Sequence, residues 1–209
     1  MNALDTSLKC MKGFYCSGGS QTATPGNPYN GHTLGAAAAG GNICDPGNYC
    51  VEGSTIKAQC SSGKYLPFYM ADEETDCISC PYGKYCPNSG MSDLSDPAAV
   101  ASGTGITTYD CEAGYYCTGG ATNARQLPCP QDFACTAGTY SPTACAPGTF
   151  TASMRSATCT TCNPGYTCHG KGTQQLCGGS EWCINDVITQ CLPGKSHNSL
   201  TGESAISAC

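Results

Sequence analysis

Apolar side chains in this chain come mostly singly or in pairs, and no alternation of apolar and polar positions lasts long enough to build a sizeable sheet. The run Gly35-Ala-Ala-Ala-Ala-Gly-Gly is too short for a stable helix and reads as a loop packed through small side chains. One helical turn is predicted over residues 98–101, with Asp96 as N-cap, Pro97 in the first position and Gly103 and Gly105 ending it. The densest apolar stretch is Tyr65-Leu66-Pro67-Phe68-Tyr69-Met70, and the chain's one tryptophan is Trp182. A small unit has too little core to bury all of these. Tyr65, Leu66, Phe68, Tyr69, Met70 and Trp182 are therefore the candidate interface.

What does recur is a cysteine grammar. Cys44, Cys50, Cys60 and Cys77 are spaced C-x5-C-x9-C-x16-C and run into a C-x2-C step at Cys80. Cys129, Cys135, Cys145 and Cys159 repeat it, and Cys177, Cys183, Cys191 and Cys209 form a third copy. Single C-x5-C elements stand at Cys10/Cys16, Cys80/Cys86, Cys111/Cys117 and Cys162/Cys168. Most read C-x-x-G-x-aromatic-C. In Asp45-Pro-Gly-Asn, Ala146-Pro-Gly-Thr, Asn163-Pro-Gly-Tyr and Leu192-Pro-Gly-Lys, proline suits position i+1 and glycine position i+2 of a type II turn. The aromatic two residues on can then lie over a disulfide or a neighbouring turn. Cys129-Pro-Gln-Asp-Phe-Ala-Cys135 and Cys177-Gly-Gly-Ser-Glu-Trp-Cys183 lack that glycine, so different turns are expected there. Lys64-Tyr65, Thr139-Tyr140, Thr149-Phe150 and Lys195-Ser196 are predicted as short strands.

Composition explains how such a chain can fold. Leu, Ile, Val and Phe are about 11% of the 209 residues, under the ~20% that usually signals disorder, yet net charge is only −6. Twenty cysteines supply the missing stabiliser. Closing a seven-residue loop removes about 2 kcal/mol of unfolded-state entropy, and a 15-residue loop about 3 kcal/mol. So many bridges persist only under oxidising conditions, which predicts a secreted, extracellular or cell-surface protein. Residues 1–8 lack an apolar signal region, and a repeat-closing cysteine ends the chain, so a segment of a longer protein is expected. No segment is apolar enough for a membrane span, and the acidic balance argues against nucleic acid.

The expected divisions are residues 1–43, a C-x5-C element with a Gly/Ala-rich insertion; 44–79, a full repeat; 80–128, two C-x5-C elements with a Ser/Asp/Ala insertion; 129–161, a full repeat; and 162–209, a C-x5-C element plus a repeat. Two pairings are open. The preferred one is sequential: Cys10–Cys16, Cys44–Cys50, Cys60–Cys77, Cys80–Cys86, Cys111–Cys117, Cys129–Cys135, Cys145–Cys159, Cys162–Cys168, Cys177–Cys183 and Cys191–Cys209. The other is crossed, with Cys44–Cys60, Cys50–Cys77, Cys162–Cys177 and Cys168–Cys183. Either keeps contacts local. The fold class is small disulfide-rich repeats with little regular secondary structure, short β-hairpins and an elongated, rod-like array.

The strings CDPGNYC, CPYGKYC, CEAGYYC and SATCTTCNPGYTC resemble ephrin-receptor-like cysteine-rich modules, relatives of the tumour-necrosis-factor-receptor repeats. The resemblance covers most of the chain outside the two insertions and implies an extracellular spacer or building block. The insertions and doubled C-x5-C elements depart from the six-cysteine receptor repeat, which puts ligand binding by analogy in doubt.

Sharper chemistry is disfavoured. Zinc at Cys77/Cys80 and Cys159/Cys162 with His169 competes with disulfides, which an oxidising compartment favours. His32, His169 and His197 read as solvated loop residues, and Asp72-Glu-Glu-Thr-Asp76 lacks the spacing of a calcium loop. No metal, cofactor or catalysis is expected. The function expected is a structural repeat protein that self-associates into a homo-polymer or larger assembly, a surface coat, appendage or filament. The clustered Ser and Thr suit O-linked glycans. The alternative is a receptor-like ectodomain with a protein ligand.

Overall fold

A computed structural model describes residues 9–28, 40–94, 109–168, 172–178, 181–184 and 186–193, without the side chain of Trp182. The alanine run, the turn predicted at 98–101, Lys195-Ser196, Cys209 and all three histidines lie outside the described residues. The described residues hold no α-helix. Their regular structure is a series of two-stranded antiparallel hairpins, and contacts divide the chain into two units.

The first unit is Met1–Tyr109 with Gly119–Asn123. Its first hairpin pairs β1 (Phe14–Cys16) with β2 (Gly41–Ile43), its second β3 (Asn48–Tyr49) with β4 (Ala58–Gln59), and its third β5 (Lys64–Tyr65) with β6 (Ile78–Ser79). A fourth, opened by Cys80, is joined where the Tyr85 N–H donates to the Tyr109 carbonyl at 2.9 Å. The second unit is Asp110–Thr118 with Ala124–Cys209. It carries the fifth hairpin, β7 (Tyr115–Tyr116) with β8 (Leu127–Pro128), and the sixth, β9 (Phe133–Ala134) with β10 (Thr143–Ala144). The seventh pairs β11 (Thr149–Phe150) with β12 (Thr160–Thr161), the eighth β13 (Tyr166–Thr167) with β14 (Gln175–Leu176), and the ninth β15 (Glu181–Ile184) with β16 (Val187–Gln190).

Each hairpin starts with an i to i+3 hydrogen bond that follows its opening cysteine. The residue after the opening cysteine accepts the N–H three positions on, as in Asn48 to Asp45 at 3.1 Å and Tyr166 to Asn163 at 3.1 Å. The intervening glycine has positive φ, 85° at Gly47 and 82° at Gly165, as a type II turn requires. The turn carbonyl then accepts the N–H of the next opening cysteine: Cys60 to Gly47 at 3.0 Å, Cys80 to Gly63 at 2.8 Å, Cys162 to Gly148 at 2.8 Å. One hairpin thus fills the interval between consecutive opening cysteines.

The expectations for the Cys129 turn and for Thr139-Tyr140 need correction. Cys129-Pro-Gln-Asp makes the same turn as the glycine-bearing elements, because Asp132 takes the left-handed position at φ 64° and the Phe133 N–H still closes on Pro130 at 3.3 Å. Aspartate is among the few side chains that tolerate this region. In the Cys177 element the Glu181 N–H donates to the Gly178 carbonyl at 2.9 Å, while the two central residues of its turn lie outside the described residues. Thr139-Tyr140, in turn, forms no strand. It lies in the loop between β9 and β10, because Cys135 closes a hairpin and does not open one.

Nine disulfides join cysteines that are consecutive in the sequence, from Cys10–Cys16 to Cys177–Cys183, and no free cysteine occurs among the described residues. They are the core. Cys60 and Cys77 pack with Leu66 and Ala71 under Tyr49, and Cys80 and Cys86 with Met91 under Tyr65 and Tyr109. The aromatic of one hairpin therefore covers the bridge of the next. In the third and seventh hairpins the closing position of the short element holds Leu66 and Thr151, both buried, and the bridge comes from a later cysteine, Cys77 or Cys159.

Candidate functional site

The same backbone logic decides which loop residues face out. In the first six hairpins the opening-cysteine carbonyl accepts an N–H from the next hairpin's loop: Gly53 to Cys10, Met70 to Cys44, Gly90 to Cys60 and Gly120 to Cys80, each at 2.8 Å. In the second unit the pairs are Gly138 to Cys111 at 2.9 Å and Arg155 to Cys129 at 2.8 Å. All six donors have positive φ, and four are glycine. Met70, at φ 65°, and Arg155, at φ 67°, are the exceptions. Both belong to the hairpins bridged through a long loop.

This sorts the candidate interface. Leu66 is fully buried in the Cys60–Cys77 cluster, and Tyr65 is half-buried against the Cys80–Cys86 bridge. Phe68, Tyr69 and Met70 stay at the surface, at 44%, 38% and 38% exposure. The backbone of Trp182 pairs with Thr189 in the ninth hairpin, and its side chain lies outside the described residues.

The acidic loop beside Met70 is shaped by its own backbone. A single 3-10 turn, Glu74–Asp76, ends it, and the Asp76 carboxylate accepts the N–H of Asp72 at 2.9 Å and of Glu73 at 3.1 Å. Lys12 pairs with Asp72 at 3.4 Å and Lys64 with Glu74 at 3.6 Å. Glu73 is exposed and forms no salt bridge among the described residues. Carboxylates of Asp72, Glu73 and Asp76 lie within 4.8 Å of one another, but Asp76 is occupied by backbone N–H groups and Asp72 by a lysine. The cysteines considered for zinc sit in bridges: Cys77 with Cys60, Cys80 with Cys86, Cys159 with Cys145 and Cys162 with Cys168.

Two further surface features carry no sequence motif. The chain's only two arginines, Arg125 and Arg155, converge on one ring, each guanidinium 5.8 Å from the centre of Tyr115. Arg125 is held by Glu112 through two hydrogen bonds of 2.6 and 2.8 Å. That hydrogen bonding holds the Glu112 carboxyl below its usual range and raises Arg125. Arg155 is exposed and forms no salt bridge among the described residues. In the ninth hairpin, Ile184, Val187 and Ile188 are exposed around a two-residue loop. The only advance signal for either feature was residue type. Arginine is scarce here, and Ile-Asn-Asp-Val-Ile is a turn dipeptide between β-branched residues.

No helix among the described residues is long and apolar enough to cross a membrane. Comparison with protein-family models gives no match, and comparison with curated proteins likewise gives none.

Proposed function

We propose that this chain is an extracellular structural repeat protein that builds a surface coat, appendage or filament by self-association. Nine bridges need an oxidising environment, which supports an extracellular site. The observation that carries the reading is the loop Phe68-Tyr69-Met70. Its apolar side chains are held outward on a segment clamped by the Cys60–Cys77 bridge and by the Met70 N–H on Cys44. Apolar groups fixed at a surface, with no ordering entropy left to lose, favour association with another protein. The likeness of the cysteine strings to ephrin-receptor-like modules points the same way. O-linked glycans on exposed Thr and Ser fit a coat of this kind.

Sedimentation and negative-stain microscopy of the oxidised protein over a concentration series test the proposal. Ordered oligomers or filaments are expected, weakened by Phe68→Ser with Tyr69→Ser. Compact monomers at high concentration overturn it, and a monomer that captures one different protein stoichiometrically makes the chain a receptor-like ectodomain instead.

A further inference from the structure

In four of the six hairpins that make this bond the loop residue that donates to the preceding opening cysteine is a glycine, since the position has positive φ. The seventh hairpin holds Arg155 there, at φ 67°, a conformation that costs an L side chain about 1 kcal/mol or more. A strained residue kept where glycine would serve points to a use for its side chain. The Arg155 guanidinium rests on Tyr115, 5.8 Å from the ring centre, while Arg125 approaches the same ring and is neutralised by Glu112. Arg155 thus presents a fork of donors to solvent, oriented by a ring and a fixed backbone, with the exposed Met154 beside it. An arginine fork so oriented matches a carboxylate.

The chain also carries the complement. Residues 72–76 place four carboxylates in five residues, and exposed Glu73 forms no salt bridge with a lysine among the described residues; its carboxylate faces the Asp76 N–H in a capping box at the surface. Met70, Tyr69 and Phe68 precede this loop as Met154 precedes Arg155, so each charge has apolar contact area beside it. A polyanionic polymer is the poorer match, because the chain has a net charge of −6 and offers a single fork in place of a basic stripe. We infer that Arg155 receives a carboxylate of the Asp72–Asp76 loop, with Glu73 as its first partner, from a second copy of this chain. The contact joins Arg155 of one copy to Glu73 of the other. This rests on the self-association reading and names its polar contact.

The test is sedimentation equilibrium of the full oxidised chain. Wild type is expected to associate, and less so as NaCl rises from about 0.05 to 0.5 M. Arg155→Glu and Glu73→Arg should each weaken association about tenfold or more. Combining both in one chain should restore it to within about threefold, since the pair is then only reversed. Arg155→Gly should weaken association while leaving the thermal midpoint unchanged or higher, which separates loss of the fork from loss of the fold. Single variants that associate like wild type, or a double variant no better than either, overturn the inference and leave the proposed function standing. A wild-type chain that stays monomeric throughout overturns both.

Discussion

The two units brace alternate hairpins in different ways. In the first, a turn glycine lies against the loop backbone two hairpins further on: Gly13 against Met70, Gly47 against Gly90, Gly63 against Gly120. The approach is close enough that a Cβ on Gly63 would fall 2.7 Å from the Gly120 carbonyl oxygen, and one on Gly13 equally close to that of Met70. The second unit starts the same way, with Gly114 against Arg155. It then changes to side chains. The Asp132 carboxylate of the sixth hairpin accepts the Gly172 N–H at 3.0 and 2.9 Å. Asp186 of the ninth accepts the N–H groups of Gly148 and Cys168, both at 2.7 Å. Both aspartates stand at positive φ. Backbone contact without a side chain and a carboxylate aimed at backbone N–H groups are two solutions to one bracing problem.

Perturbations should sharpen the contrast. The largest effect comes from deleting a long-loop bridge. Cys60→Ser with Cys77→Ser, or Cys145→Ser with Cys159→Ser, should each cost about 3 kcal/mol of unfolding free energy. The second pair should cost more, because buried Leu66 still plugs the third hairpin, whereas buried Thr151 needs its hydrogen bond to the Asp132 N–H. Hydrogen exchange should show protection lost only in the altered hairpin and its neighbours, since contacts within each unit are local. Next is Gly63→Ala, which combines positive φ with a backbone clash and should cost about 2–3 kcal/mol in a denaturant midpoint. Asp186→Ala should cost about 2 kcal/mol by leaving two N–H groups of other hairpins unpaired, whereas the first unit's Asp76 carboxylate accepts two N–H groups of its own loop.

The smallest effect concerns Glu112, fully exposed and hydrogen-bonded to Arg125, whose carboxyl is held below its usual range. Its contribution is present above the unfolded carboxylate range and fades as pH falls through the lowered folded value. Glu112→Gln should therefore shift the thermal midpoint slightly at neutral pH and not at all in strong acid, a difference scanning calorimetry can follow.

How much of this was legible in advance follows from which forces act locally. The type II turns at Asp45 and Asn163 needed only four consecutive residues, so proline and glycine announced them. The hairpins followed from the spacing, since a strand of two residues has little freedom once turn and bridge are placed. Asp132 was misjudged because its left-handed backbone is sustained from outside the turn, by the Thr151 hydroxyl 2.7 Å from its N–H and by Gly172. Leu66 looked like part of a surface run, and only the register of the third hairpin shows it standing in a cysteine's place. The meeting of Arg125 and Arg155 on Tyr115 joins residues 40 positions apart at the extreme and has no trace in spacing.

The central claim is that each hairpin carries its own bridge and depends on its neighbours only through packing and hydrogen bonds. Tryptic digestion of the denatured, unreduced chain tests it most directly. Lys57 lies between Cys50 and Cys60, and Lys171 between Cys168 and Cys177. With sequential bridges no disulfide spans either cut, so mass spectrometry should find the flanking pieces separated without reductant, with Cys44–Cys50 on one side of Lys57 and, on the other, the two peptides cut at Lys64 held together by Cys60–Cys77. Pieces still joined across Lys57 and Lys171 until reductant is added would mean crossed bridges, Cys44–Cys60 and Cys162–Cys177 among them, and would contradict the account.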